Sequence, residues 1–136
     1  MSVIYDFLLD CFRAEKKTVL DAADVGAMPA NGMPVEAITS EAAVTIPAGG
    51  KLYTLNIEQN TTITFPSPGN ATCYFWLYLT TGATEYSFSL SVNITWDNGT
   101  GPDMSATNTL YRLAFLWDAP TQKWLGSEFW EPEVLS

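Results

Sequence analysis

The sequence predicts an all-β fold, an antiparallel β-sandwich of jelly-roll-like type over residues 42–136, preceded by a short N-terminal helix and an extended linker. Three observations carry that expectation. From about residue 42 the chain is written in short runs rich in Thr, Val, Ile and aromatic residues, which suit a pleated, half-buried surface. Turn formers interrupt these runs at short intervals: Pro47, Gly49-Gly50, Pro66 to Asn70, Gly82 and Asn98 to Pro102. One run alternates without a break, with Tyr86, Phe88, Leu90, Val92, Ile94 and Trp96 against Ser87, Ser89, Ser91, Asn93 and Thr95, so one face is core and the other wet.

The elements follow in chain order. Over residues 1–20, Ile4, Phe7, Leu8, Cys11 and Phe12 recur at helical spacing, while Asp6, Asp10, Arg13, Lys16 and Lys17 fill the other positions. That is a helix of about three to four turns, acidic early and basic late as the helix dipole favours. So short a helix is marginal alone, and its apolar stripe must pack on the body, on a symmetry mate or on a partner. We therefore expect Ile4, Phe7, Leu8 and Phe12 to be an anchor. Residues 21–41 open with Ala, Gly, Pro and short polar residues without a period, and Asn31-Gly32 is a turn signal, so this segment is expected to be an extended linker.

Strands are expected at about 42–46, 51–57, 61–65, 72–80, 86–96, 109–117 and 123–130. The fifth would be about 36 Å long, well beyond the usual strand, and is expected to bend or bulge midway. In the fourth, Cys73, Phe75, Leu77 and Leu79 form one face and Tyr74, Trp76 and Tyr78 the other, so both faces must be covered. The strand at 109–117 repeats the theme, with Tyr111, Leu113, Phe115 and Trp117 opposite Leu110, Arg112, Ala114 and Leu116. Asp118 to Gln122 is a polar turn containing Pro120, after which Lys123-Trp124-Leu125 should return as a hairpin partner.

The chain of 136 residues suits one ordinary domain plus an appendage. Six Lys and Arg against 15 Asp and Glu give a net charge of −9, which repels phosphate backbones and disfavours nucleic acid as a partner. There is no histidine, so His-based triads, the commonest general base and the commonest metal ligand are all missing. Cys11 and Cys73 lack any CxxC or Cys/His spacing and read as small buried hydrophobes, with a single disulfide between them as the alternative. The N-terminus lacks a basic region and carries Asp6 and Asp10 in its apolar stretch, which makes a poor signal peptide. No apolar run approaches the ~18 residues that span a bilayer, so no membrane insertion is expected, and a soluble protein of a reducing cytoplasm is. The Asn-x-Thr sequons at Asn60, Asn70, Asn93 and Asn98 read as a by-product of a chain rich in Asn and Thr.

Little of this is arranged for catalysis. Asp97, Asn98, Thr100 and Asp103 supply oxygens around two glycines, but without EF-hand spacing, and a solvated loop explains them better than calcium does. Asp97, Asp103, Asp118, Glu128 or Glu131 could form a carboxylate pair, yet nothing visibly desolvates them. Gly49-Gly50-Lys51 lacks the phosphate-loop spacing. No catalytic residue, metal ligand or cofactor is assigned, and the end from Glu128 to Glu133 reads as a solvated tail with an aromatic anchor. The second covered face of the fourth strand is the informative feature. Tyr and Trp serve where large apolar area needs polar tips, so Tyr74, Trp76 and Tyr78, with Tyr111, read as a subunit interface, as a surface covered by the N-terminal segment or another sheet, or as a glycan platform.

Tyr53 to Leu55, Asn60 to Phe65, Phe75 to Thr80, Ile94 to Pro102, Leu113 to Trp117 and Trp124 to Gly126 together resemble a β-domain of tailed-bacteriophage fibre and other virion structural proteins. The resemblance covers about residues 50–126, and Ala23 to Pro29 is similar to the Val-Gly-Ala-x-Pro segments that introduce domains in phage tail fibres. The last hairpin departs from the family by carrying Asp118-Ala-Pro-Thr-Gln-Lys123 where further glycines are usual, and the chain is short for a complete fibre. The resemblance implies a homotrimeric component of fibre or decoration type on the virion exterior, made in the bacterial host cytoplasm. It implies host attachment, other virion proteins bound through the N-terminal segment, and host-surface polysaccharide as a further partner. It transfers no catalytic residues. A monomeric carbohydrate-binding module using the same aromatics is the alternative.

Overall fold

Ten strands form among the residues described by the computed structural model, which are 32–135. The anchor positions Ile4, Phe7, Leu8 and Phe12, the expected helix and the first part of the linker lie outside them. The strands are β1 (Val35–Ile38), β2 (Ala43–Thr45), β3 (Leu52–Ile57), β4 (Thr61–Thr64), β5 (Cys73–Thr81), β6 (Phe88–Leu90), β7 (Ile94–Trp96), β8 (Thr109–Asp118), β9 (Lys123–Glu128) and β10 (Glu133–Val134).

They build two sheets that share one core. The larger has seven strands, with β1-β3-β5-β8-β9-β7 side by side and β10 paired to the start of β8; the smaller is β2-β4-β6. From β1 to β6 the chain alternates between the sheets, so each passage lays its strand beside one from the previous passage and parallel to it. Val35 meets Leu52, Leu52 meets Trp76, and across the core Val44 meets Ile63 and Ile63 meets Leu90. β7 then pairs parallel with β9, whereas β5–β8, β8–β9 and β10–β8 are antiparallel. The antiparallel expectation is therefore corrected to sheets of mixed orientation.

The connections explain the difference. Glu58 to Asn60 is short enough to look like a hairpin turn, but it is a corner between sheets, tied to the preceding passage by Glu58 N donating to Ser40 Oγ (3.1 Å) and Gln59 Nε2 donating to Ser40 O (3.2 Å). At the corner before β3, Gly50 takes φ +80° and its N–H donates to Tyr74 O at 2.7 Å. A Cβ on its neighbour Gly49 would lie 2.6 Å from Cys73 Sγ, so this backbone approaches β5 more closely than a side chain permits.

The alternation is real from Phe88 to Trp96 but serves two strands, whereas Tyr86, expected on the core face, precedes β6 and is exposed. β6 belongs to the small sheet and β7 to the large one, with Ser91 N donating to Ile63 O (2.8 Å) at the crossing. Phe88, Leu90, Val92, Ile94 and Trp96 all pack on the same core while the chain changes sheet, so the period of two survives the bend. The centre of that core is aromatic: Phe65, Phe75, Phe115 and Trp124 are buried with ring centroids 4.8–5.6 Å apart, mostly edge to face. Val35–Ile38, within the segment expected to be linker, is an edge strand, and Lys51 Nζ bridges to Glu36 Oε1 (2.9 Å) beside it.

Candidate functional site

β5 carries the face singled out from the sequence. Phe75, Leu77 and Leu79 enter the core, which leaves Tyr74, Trp76 and Tyr78, all half-buried, on the outer face of the large sheet. Leu52 of β3 and Ala114 of β8 flank Trp76, and buried Ala114 and Leu116 group with Tyr74, Trp76, Leu125 and Phe129 into a second apolar cluster. Phe129, just after β9, lies across this face with its ring 5.1 Å from Trp76 and 6.3 Å from Tyr78. The Arg112 guanidinium stands 5.4 Å from the centre of the Tyr78 ring and donates through Nη2 to Glu133 Oε1 at 2.9 Å, pinning the tail. The tail is thus anchored at Phe129 and paired at β10, more ordered than a solvated end, while Trp130 stays 64% exposed.

Tyr111 does not join this group. Register places it beside Leu79, on the inner side of the sheet, where it is 1% exposed and its hydroxyl accepts from Ala106 N at 3.2 Å. It is a core residue, because opposite partners in an antiparallel pair share a face. With Phe129 against Trp76 and Tyr78, the rings expected to form a glycan platform are partly occupied from within the chain.

A separate concavity, of about 780 Å³, opens at the β8–β9 hairpin. Its walls are the turn from Pro66 to Gly69, the crossing from Ser91 to Thr95, and Trp117, Gln122, Lys123 and Trp124. Asp118 pairs with Lys123 to close the hairpin, and Thr121 Oγ1 donates to Asp118 Oδ2 inside the turn. Gln122 adopts φ +56°, the left-handed position where a glycine would be free of strain. Its Nε2 donates to Gly69 O (2.9 Å) and Ala119 O (2.8 Å), and Trp117 Nε1 donates to the same Gly69 O at 2.9 Å. One carbonyl thereby ties the hairpin to the facing turn. No single stretch of sequence announces this cleft, since its walls come from segments far apart in the chain.

The acids behave individually. Asp97 Oδ2 accepts from Ser127 Oγ (2.9 Å), and Asp103 Oδ1 accepts from Ser105 N (3.0 Å) and Ser105 Oγ (2.6 Å), bonds that hold the Asp103 carboxyl below its ordinary range. Asn98 Oδ1 accepts from Thr100 N, and Gly99 takes φ +85°, so the loop satisfies its own polar groups. No group of three or more His, Cys, Asp or Glu is placed to share a metal among the described residues. Cys73 is a free thiol whose pKa is raised by burial.

Glu128 is the exception, because its Oε2 is buried without a hydrogen-bond partner and burial raises its pKa above the usual 4.5. A carboxyl with a raised folded-state pKa favours folding below the unfolded value and loses that contribution as pH rises through the folded value. Glu128→Gln should therefore raise the melting midpoint at pH 7, and the gain should shrink to nothing below about pH 4.5. Melting curves of both proteins from pH 4 to pH 8 check this; a gain independent of pH would show that the charge is not the cause.

No helix among the described residues is long and apolar enough to cross a membrane. Comparison with protein-family models and with curated proteins finds no match for this chain.

Proposed function

We propose that this chain is a non-catalytic structural protein of a bacteriophage virion, a small fibre- or decoration-type component whose copies associate, most simply as a homotrimer, on the particle exterior. The two sheets are read as the layers of a β-sandwich, the N-terminal segment, with Ile4, Phe7, Leu8 and Phe12, as the part that docks onto other virion proteins, and the assembled component as one that serves attachment to the host. The single observation supporting self-association is the outer face of the large sheet. Even with Phe129 folded across it, Tyr74, Trp76 and Tyr78 are only half-buried, and the adjoining Trp130 is 64% exposed. Aromatics of this kind are enriched where subunits meet, and symmetry multiplies each weak contact by the number of copies.

The test is the mass in solution by light scattering, for the full chain and for Tyr78→Glu and Trp130→Glu. The expected result is a mass near three times 14.9 kDa that falls to the monomer in the variants. Trp130→Glu replaces an exposed side chain, so its melting midpoint should match the wild type and its loss of mass would not reflect unfolding. A wild-type monomer at micromolar concentration would overturn the proposal.

A further inference from the structure

Three cations lie among the described residues, and two are matched with acids: Lys51 with Glu36 and Arg112 with Glu133, each at 2.9 Å. Lys123 is exposed, makes no ion pair among the described residues, and sits on the wall of the cleft at the β8–β9 hairpin. The chain has a net charge of −9, yet no Asp or Glu lines this cleft. Beside the aliphatic Pro66 and Val92, its lining offers two kinds of group to a ligand. Trp117, half-buried beside Trp124 with ring centroids 5.6 Å apart, offers an aromatic surface; Asn93, Thr95 and Gln122 offer amide and hydroxyl groups.

The pieces are held in place before any ligand arrives. The Trp117 indole is fixed through Nε1 to Gly69 O, and both Nε2 donations of Gln122 are spent within the protein, which leaves its Oε1 as an acceptor for a ligand. Gln122 holds a strained backbone at φ +56° to make these bonds. A rigid aromatic wall suits the C–H face of a sugar ring, uncharged amides and hydroxyls suit its hydroxyls, and an unmatched ammonium suits a carboxylate. The volume, about 780 Å³, falls in the range of small-ligand sites. A nucleic acid would bring many phosphates to one lysine in a strongly acidic molecule, which electrostatics opposes.

We infer that this cleft binds an acidic oligosaccharide, with a sugar ring against Trp117 and a carboxylate at Lys123. The site lies within one chain and needs no second copy.

The experiment is a calorimetric titration of the full chain, with tryptophan fluorescence in parallel, against a galacturonic acid pentamer, a hyaluronan tetrasaccharide, sialyllactose and neutral maltopentaose. At least one acidic sugar should bind at millimolar concentration or below, at least about fivefold more tightly than maltopentaose, with affinity falling as salt rises. Lys123→Gln should remove that preference and the salt dependence; Asn93→Ala should weaken binding about two- to fivefold. Both replaced side chains are exposed, so unchanged melting midpoints separate lost binding from lost structure. Both variants should keep the wild-type solution mass, which separates failure here from failure of self-association. No binding by any of the acidic sugars, equal binding of maltopentaose, or indifference to Lys123→Gln would each overturn the inference.

Discussion

Phe75→Ala is expected to leave the protein close to unfolding at room temperature. The ring is fully buried and stands 5.1 Å from Phe65, 5.2 Å from Phe115, 5.6 Å from Trp124 and 6.0 Å from Tyr53, so it joins three strands of the large sheet to Phe65, the residue that follows β4 of the small one. Truncating a buried Phe removes its transfer free energy and leaves a cavity, at about 3–5 kcal/mol. A domain of this size holds only about 5–15 kcal/mol in all, and each kcal/mol moves the midpoint by roughly 4–8 °C. The midpoint should fall by more than about 12 °C in thermal melts, and urea unfolding should give the same order of loss. Phe75→Leu, which keeps most of the volume, should lose less than half as much. A loss below about 1 kcal/mol for Phe75→Ala would mean that the ring cluster does not join the two sheets as described.

Gly126→Val should detach an edge of the large sheet. Gly126 pairs with Phe115 on one side and Trp96 on the other, and a Cβ there would press into Ile94 Cγ2 and lie 2.9 Å from the Trp96 ring. The missing side chain is what lets Ile94 and Trp96 lie against β9. Its backbone neighbours are paired, so the collision is relieved most easily by moving β7, a strand of three residues at the sheet edge. The expected cost is about 1–3 kcal/mol, with faster amide exchange confined to β7 and a shifted Trp96 emission. Gly82→Ala is the control, since nothing lies within 4 Å of a Cβ at that position. Unchanged protection of β7 in Gly126→Val would show that the neighbouring side chains absorb the extra methyl groups without moving the strand.

The strands that could be read in advance are those with long alternating runs. Those at 72–80 and 109–117 correspond closely to β5 and β8, because Phe75, Leu77 and Leu79, and Leu113 and Phe115, repeat at the period of a pleat. The turn from Asp118 to Lys123 is the expected hairpin. β1 and β10 escaped notice because Val-Glu-Ala-Ile and Glu-Val are too short, and too rich in weak strand formers, to rise above the flanking prolines. Strand direction was hidden for a different reason. Alternation is the same for parallel and antiparallel neighbours, and a polar connection such as Glu58 to Asn60 fits a hairpin and a corner equally well. The outer aromatic face was legible because it lies on one strand, except for Tyr111, whose side depends on the register between β5 and β8. The cleft, assembled from three distant segments, has no local signature at all.

The alternation of the chain between sheets also dictates an order of folding. Among the described residues, β8 and β9 are the strands that both follow one another in sequence and pair through a tight turn, so they can form first by themselves. Each parallel ladder from β1 to β6 must instead close a loop that includes a strand of the opposite sheet, and so gains little until that sheet is also in place. The hairpin carrying Trp117 and Trp124 offers edges to β5 on one side and β7 on the other. Non-local pairing of this kind folds over milliseconds to seconds whatever the final stability. During that interval β5, although synthesised first, lacks the β8 partner that joins it to the rest of the large sheet.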